Sequence, residues 1–221
     1  GEDGTAFFGT LVTGGSETYS FFAIKGGQPL WVFETDAPSV GFYSSPALDG
    51  EGNVYVACHD GYLYCLDTLD GTLDWSLRLA PAKPGGDSAI ASSPVVGQDG
   101  TVYLCTNEGE FYAVSPAGSI QWTASLGTTI FSTPVLSSEG VAYIVGWDDS
   151  KLYVVDHDGG VAKRSSMGRN SACSPLMTDD GTLYFTATLV DIGTWSQLVS
   201  LETDGTPAGL WPMYGMDQRR S

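Results

Sequence analysis

The sequence predicts an all-β fold, a β-propeller of about five four-stranded blades, from three observations. The first is a repeated strand signal in which an aromatic residue follows a smaller apolar one. It occurs at Ala6-Phe7, Val54-Tyr55, Val102-Tyr103, Ala142-Tyr143 and Leu183-Tyr184, so the aromatic residues lie 48, 48, 40 and 41 positions apart. Short strands and turns that repeat with a period in the forties are typical of propeller blades.

The second observation is the composition. The chain of 221 residues contains 29 glycines, 12% aromatic residues and only 16% charged residues, which suits many strands and tight turns. The third is that apolar residues come in near-continuous runs, as expected for strands covered on both faces by neighbouring blades. We therefore expect a single propeller domain over residues 1–221.

Each strand of the repeat has its own sequence signal. The second strand runs through the aromatic pair, as in 53–58, and ends at a tight turn such as His59-Asp60-Gly61. The first strand starts at a proline, where no ladder donor is lost: Pro46, Pro94, Pro134 and Pro175. The third strand is an aromatic-apolar run: 21–25, 63–67, 111–115, 152–156 and 198–202. The fourth strand is expected to end on a tryptophan four residues after a glycine: Trp31, Trp75 and Trp122.

The repeats divide the domain into five units followed by a tail at 211–221. The units are placed at 1–35, 36–80, 81–127, 128–168 and 169–210. The first unit is incomplete, because no Ser-Pro strand precedes Ala6. Two alternatives follow: a small five-bladed ring, or part of a larger propeller. An array that does not close leaves sheet faces exposed, so a homodimer is expected in that case.

The glycine-to-tryptophan segment also carries a family resemblance. Residues 65–75, Cys-Leu-Asp-Thr-Leu-Asp-Gly-Thr-Leu-Asp-Trp, resemble the tryptophan-docking motif of the PQQ-like repeat, and 113–122 match it with one residue fewer. That repeat is shared by quinoprotein alcohol dehydrogenases and by non-catalytic propellers of the BamB type. The resemblance implies that Trp31, Trp75 and Trp122 fill the space between blades. The fourth and fifth units depart from the motif, with Arg164 and Gly209 at the tryptophan position.

Charge and hydropathy limit the classes of partner and the cellular locations that we expect for this chain. The net charge is −17 with only nine Lys and Arg residues, which argues against nucleic acid as a partner. No apolar run is long enough for a membrane span, and no signal-peptide pattern is visible. The tail at 211–217 is similar to a segment flanking such repeats in exported bacterial propellers, which implies a periplasmic, cell-surface or extracellular location. The four cysteines are expected to be buried free thiols.

A binding face is predicted at one end of the propeller. Loops that join the second and third strands, and the fourth strand to the next blade, share that end, where ligands usually bind. We expect a protein, peptide or glycan partner there, anchored by aromatic side chains of Tyr43, Trp147 and Trp195. The other candidates are polar: Asp60, Glu108, Asp148, Asp149, Arg169, Asn170 and Asp191.

An enzyme is the alternative function. The resemblance would imply PQQ and calcium in a dehydrogenase, often with a pair of adjacent cysteines, and the sequence has no Cys-Cys pair. The loop 156–159 carries only two carboxylates at suitable spacing for calcium. His59 and His157, the two histidines, lie two repeats apart and form no triad or zinc pattern. We therefore predict no catalytic residues, no metal and no cofactor, with a fragment of a PQQ-dependent dehydrogenase or other propeller enzyme as the alternative.

Overall fold

The computed structural model describes residues 1, 3–10, 20–35, 41–81, 89–166, 173–189 and 195–203. Within these ranges every element of regular secondary structure is a β-strand, and the strands form five antiparallel sheets. The all-β prediction is therefore confirmed. No helix in the described part of the chain is long and apolar enough to cross a membrane.

The five sheets follow one another along the chain, and each is one blade. Blade 1 contains β1 (Ala6–Gly9), β2 (Ser20–Lys25) and β3 (Gln28–Glu34). Blade 2 contains β4 (Ala47–Leu48), β5 (Asn53–Ala57), β6 (Tyr62–Asp67) and β7 (Leu73–Arg78). Blade 3 contains β8 (Val95–Val96), β9 (Val102–Cys105), β10 (Glu110–Val114) and β11 (Ile120–Ser125).

The last two blades have the same order. Blade 4 contains β12 (Val135–Leu136), β13 (Ala142–Val145), β14 (Lys151–Val155) and β15 (Val161–Ser166). Blade 5 contains β16 (Leu176–Met177), β17 (Thr182–Leu189) and β18 (Trp195–Glu202). Each first strand begins directly after its proline, as predicted. The end of the fourth strand was predicted wrongly: Trp31, Trp75 and Trp122 lie inside β3, β7 and β11. These outer strands continue for three residues beyond the tryptophan, with exposed residues alternating with buried or partly buried ones, so the tryptophan does not mark their ends.

The core lies between blades. Alternate residues of one strand face opposite neighbours, so Val54 and Val56 pack towards blade 1 while Tyr55 and Ala57 pack towards blade 3. This division explains the near-continuous apolar runs, because both faces of an inner blade are buried. Four clusters, one at each junction of consecutive blades, make up the core of the described residues. Three of the four cysteines, Cys58, Cys65 and Cys105, are buried in it, whereas Cys173, also expected to be buried, is only partly buried; none of the four is in a disulfide.

Tryptophans from three blades reach the next blade. The indole Nε1 of Trp31 donates to the carbonyl of Thr68 at 3.0 Å, and that of Trp75 donates to Pro116 at 2.8 Å. Trp122 donates in the same way to His157 at 2.8 Å. Each acceptor lies in the turn between the third and fourth strands of the following blade. The rings pack against that turn so closely that a Cβ atom on its glycine would lie 2.6 to 3.0 Å from the indole: Gly71, Gly118 and Gly159.

A second set of inter-blade contacts joins the residues that precede the first strands of successive blades. The backbone N–H of Ser45 donates to the Ser93 hydroxyl at 2.9 Å, and the N–H of Ser93 donates to Thr133 at 3.2 Å. The N–H of Thr133 then donates to Ser174 at 2.9 Å. In blades 3, 4 and 5 the hydroxyl before the proline thus accepts a hydrogen bond from the preceding blade. We call these four residues the hydroxyl belt, a role for the Ser-Pro motif that the sequence analysis missed.

Candidate functional site

One end of the propeller, here called the loop face, is formed by two kinds of segment. They are the turns between second and third strands (58–61, 106–109 and 146–150) and the connections leading into each blade (35–46, 79–94 and 126–134, as far as described). The turns are held to the connections by equivalent backbone hydrogen bonds. The N–H of His59 donates to Gly41, that of Asn107 to Ala89 and that of Trp147 to Thr129, at 3.1, 3.1 and 2.8 Å. Corresponding side chains of successive blades are therefore held at equivalent positions on the loop face.

Two aromatic pairs occupy this repeated position. At blade 2, Tyr43 stacks on His59 with ring centroids 3.7 Å apart and planes 6° apart. At blade 4, the corresponding Phe131 and Trp147 meet edge to face at 5.4 Å. Tyr43 and Phe131 are exposed, His59 is buried and Trp147 is partly buried. Each pair thus presents an aromatic surface supported by a second ring.

Between the two aromatic pairs, blade 3 has one small side chain and two polar ones. Ala91 stands where Tyr43 and Phe131 stand in the other blades, and its N–H donates to the Asn107 side chain at 3.0 Å. Asn107 is followed by Glu108, which is exposed. The loop face therefore has an aromatic, polar, aromatic order from blade 2 to blade 4.

The carboxylates of this face differ in their surroundings. Asp60 is buried, and its two oxygens accept hydrogen bonds from the Tyr62 N–H at 2.9 Å and the Tyr64 hydroxyl at 2.6 Å. Burial, together with the Asp60 carboxylate, raises the pKa of Tyr64. Asp60 therefore supports the turn from inside the protein. Asp148 is exposed and accepts from the Thr129 N–H at 3.2 Å.

Asp149 also serves its own turn. It accepts hydrogen bonds from the Tyr153 hydroxyl at 2.6 Å and from Lys151 Nζ at 3.1 Å. Partial burial raises the pKa of this carboxyl, but the hydrogen bonds from Tyr153 and Lys151 outweigh burial and leave the pKa below its usual value. Asp149 is therefore a charged acceptor that stabilises the blade 4 turn.

Buried polar atoms without a hydrogen-bond partner are concentrated on the loop face. In the described part of the chain there are four, here called the orphan atoms: Thr35 Oγ1, His59 Nε2, Thr128 Oγ1 and Ser150 Oγ. All four belong to loop-face turns or connections. His59 is only 4% exposed, and burial lowers its pKa to about 4, so its imidazole is neutral at pH 7. Buried polar groups are nearly always satisfied in native proteins, and an exception calls for an explanation such as water or a ligand.

The structure places six of the predicted site residues on the loop face. Tyr43 and Trp147 belong to different aromatic pairs, and Glu108 lies between them. Trp195 begins β18, while Arg169, Asn170 and Asp191 lie outside the described residues. Sequence reasoning assigned His59 to a turn and did not consider Phe131. The matching steps of 48 and 40 from Tyr43 through Ala91 to Phe131, and from His59 through Asn107 to Trp147, are the signal that would have found both pairs.

Within the described residues, no three His, Cys, Asp or Glu side chains come together as a metal site requires.

Known proteins resemble the chain in sequence and in fold. The family model described as outer membrane protein assembly factor BamB matches residues 3–164 and 92–207. The outer membrane protein assembly factor BamB of Yersinia pestis is 32% identical over 107 residues, covering 47% of this chain and 25% of that protein. The chain spans between 9% and 25% of the length of the curated relatives it matches.

Solved structures show the same architecture. BamB from Moraxella catarrhalis aligns with a TM-score of 0.66 at 18% identity, covering 99% of this chain and 63% of that chain. The WD40 β-propeller domain of Doa1 aligns with a TM-score of 0.60 at 14% identity, covering 82% of this chain and 57% of that chain. At these identities the likeness concerns the fold, which is a β-propeller.

Proposed function

Because the chain belongs to the PQQ-like repeat β-propellers of the BamB family, we propose that it is a non-catalytic binding propeller that recognises a protein partner through its loop face. The observation that carries this proposal is the pair of ring-supported aromatic surfaces on one face. The exposed rings of Tyr43 and Phe131 lie there, on blades 2 and 4, and each is supported by a second ring. Aromatic side chains anchor interfaces.

The loop-face acids support binding over catalysis. Asp60 and Asp149 use their carboxylates to accept hydrogen bonds from Tyr64 and Tyr153, on the third strands of their own blades. A general acid or base must instead reach a substrate proton. These two acids stabilise the fold of their own blades, whereas the exposed rings of the aromatic pairs are accessible to a partner.

Location and assembly belong to the same proposal. We place the protein in the periplasm or at the cell surface, which is supported by the match to proteins named outer membrane protein assembly factors. Blade 1 also carries an apolar outer face, with Phe8 and Val32 exposed and Phe8 stacked on Phe22 at 5.6 Å. A homodimer through that face is the second mode of assembly to be tested.

The proposal excludes PQQ and calcium as resident cofactors. A propeller enzyme is the competing function, and it requires a pocket that holds the cofactor. Titrating the protein with PQQ in the presence of calcium, followed by tryptophan fluorescence, distinguishes the two. Saturable binding of PQQ would restore the dehydrogenase alternative.

The direct test of the proposed function is selection of peptides from a random display library on the immobilised chain. Selected peptides should bind the wild type and lose binding when Tyr43→Ser and Trp147→Ser are combined. Leu69→Ser is the matched control, because Leu69 is an 84% exposed apolar residue in a turn at the other end of the propeller. Peptides that bind the double variant as well as the wild type would contradict a loop-face site, and selection of glycans alone from a glycan array would contradict a protein partner.

A further inference from the structure

We propose that two copies of this chain pair through blade 1, outer face against outer face, in a two-fold symmetric dimer. The outer face is the side of blade 1 that points away from blade 2, and its apolar residues are Ala6, Phe8, Phe22, Ile24 and Val32. This inference deepens the assembly part of the proposed function by naming the occupant and the symmetry of the contact, and it is independent of the loop face.

The outer face is a continuous apolar surface across all three strands of blade 1. Alternate residues of β1, β2 and β3 pack into the core against blade 2, so the residues between them point the other way. The register places Phe8 beside Phe22 and Phe22 beside Val32 in one row, with Ala6 beside Ile24 in the next row. Phe8 is 41% exposed and Val32 is 47% exposed.

The equivalent positions of blade 2 show that such a surface is normally interior in this fold. Val56 pairs with Tyr64 as Phe8 pairs with Phe22, and both residues are buried in the cluster between blades 1 and 2. An exposed apolar row of this kind marks an interaction surface. Blade 1 therefore has a face that a partner covers.

The outer strand of blade 1 favours a flat sheet as that partner. Val32 occupies the position at which blades 2 and 3 have Ser76 and Thr123, each paired with the tyrosine of the third strand. Ser76 and Thr123 are exposed although a neighbouring blade covers the inner strands. A valine at this position is explained by a partner that covers the outer strand as well.

The turn between β2 and β3 also differs from its counterparts. In blades 2, 3 and 4 the corresponding turn receives the docking tryptophan of the preceding blade and is longer: 68–71, 116–118 and 157–159. In blade 1 Lys25 pairs directly with Gln28, which leaves only Gly26 and Gly27 between them. A Cβ on either glycine would meet nothing within 4 Å. The outer face of blade 1 therefore departs from a standard blade junction.

Blade 5 is a poor match for this face. Its residues Leu183 and Val199 pack towards blade 4, so the rows that pair Thr182 with Glu202 and Tyr184 with Ser200 point away. Burying the Glu202 carboxylate and the hydroxyl groups against apolar side chains would remove them from water without supplying hydrogen bonds. A head-to-tail contact between blade 5 and blade 1 is therefore disfavoured.

A second copy of the outer face is the partner that matches it. Apolar sheet faces pack on each other at about 10 Å, as in β-sandwiches. A two-fold axis brings the same patch of both copies together, so each face covers the other. Phe22 lies on the central strand with Phe8 and Val32 on either side, which centres the contact on Phe22.

The size and charge of the face determine how strong the dimer is. The face is three strands wide, about 10 Å from the first strand to the third. Interfaces below about 1,200 Å² are weak, and each copy carries a net charge of −17, so two copies repel each other. The dimer should therefore form at high protein concentration and become stronger when salt screens this repulsion.

The test is sedimentation velocity of the purified chain over a range of protein concentrations, at low and at high salt. We expect a reversible equilibrium between monomer and dimer, with the dimer several-fold stronger at high salt. Larger species should not appear, because a two-fold contact closes at two copies.

Variants locate the contact. Phe8→Ser and Val32→Ser should each weaken the dimer at least tenfold, because the symmetry removes two apolar side chains from the contact for every substitution. Leu198→Ser is the matched control, since Leu198 is a 62% exposed leucine in the outward row of blade 5, and it should leave the dimer unchanged. Circular dichroism melts establish that the three variants remain folded.

Several outcomes would overturn the inference. They are a chain that stays monomeric at every concentration and salt, and a dimer that Phe8→Ser and Val32→Ser leave unchanged. Loss of association in Leu198→Ser, or growth beyond dimers, would show head-to-tail assembly. A monomer that binds a hydrophobic dye, with binding lost in Phe8→Ser, would assign the face to a different partner.

The loop-face proposal is tested separately. Peptides from the library selection described above should bind Phe8→Ser as well as they bind the wild type. Failure of that selection would refute the proposed loop-face function and leave the blade 1 dimer standing.

Discussion

The two ends of this propeller are built from the same repeats and differ in how completely their polar groups are satisfied. The turn face consists of the turns between first and second strands and between third and fourth strands. There Asp99 accepts from both the N–H and the hydroxyl of Thr101, at 3.0 and 2.8 Å, and Asp180 accepts from the N–H of Thr182 at 3.1 Å. The orphan atoms found in the described residues all lie on the loop face instead. The polar side chains of the turn face therefore stabilise the fold through hydrogen bonds. The loop face, in contrast, retains the buried polar atoms that have no hydrogen-bond partner among the described residues.

The largest effect is expected from the tryptophans that dock on the turn face. In Trp75→Ala, the protein loses the indole packed on Gly118 and the hydrogen bond to Pro116, and the free energy of unfolding should fall by about 3–5 kcal/mol. Trp147→Ala on the loop face should lower it by about 1 kcal/mol or less. Urea denaturation followed by circular dichroism measures both. Equal losses would mean that the loop-face tryptophan is as structural as the docking one.

Two glycines, Gly118 on the turn face and Gly127 on the loop face, test the contrast between the two faces through the backbone. Gly118 has φ +77 and a Cβ there would lie 2.7 Å from the Trp75 ring, whereas Gly127 has φ +65 and nothing within 4 Å. Gly127→Ala should cost about 1 kcal/mol from its left-handed conformation alone. Gly118→Ala adds a steric conflict and should cost about 2–4 kcal/mol. Thermal melts of the two variants compare them directly, and similar melting temperatures would contradict tight docking of Trp75.

The sequence predicted the turn face better than the loop face for a physical reason. Proline starts, Asp-Gly turns and the glycine before each tryptophan satisfy local backbone needs, so Pro94 and Gly71 have readable roles. The hydroxyl belt and the aromatic pairs depend on residues from different segments: Ser45 meets Ser93 of the next blade, and Tyr43 meets His59 after a turn of chain. No local pattern encodes such contacts. Comparing equivalent positions across repeats does reveal them, once the fold is known.

The buried histidine of the loop face should make stability depend on pH. The pKa of His59 is about 4 in the folded protein, below its ordinary value of 6.5, because burial disfavours the charged imidazole. The unfolded chain therefore binds this proton more readily. The His59 contribution is present in full above pH 6.5 and is lost as pH falls from 6.5 to 4, by about 3 kcal/mol.

Substitution isolates that contribution. His59→Gln should flatten the decline in unfolding free energy between pH 6.5 and 4, as measured by urea denaturation at a series of pH values. His157→Gln is the control, because this side chain is 68% exposed. The carboxyls with lowered pKa values, such as Asp49 and Asp149, lose their contribution at lower pH, mainly below about 4. An unchanged slope in His59→Gln would show that other groups cause the decline.

The smallest effect is the most discriminating, because its sign should differ between the two faces. Thr128 on the loop face has a buried hydroxyl without a partner, and Thr101 on the turn face donates its hydroxyl to Asp99 at 2.8 Å. Threonine and valine have nearly the same shape. Thr101→Val should therefore lower the free energy of unfolding by about 1 kcal/mol, through the lost hydrogen bond. Thr128→Val removes an unsatisfied polar group, so it should leave the free energy of unfolding unchanged or raise it by about 0.5–1 kcal/mol. A loss of stability in Thr128→Val equal to that in Thr101→Val would mean that water satisfies the loop-face hydroxyl.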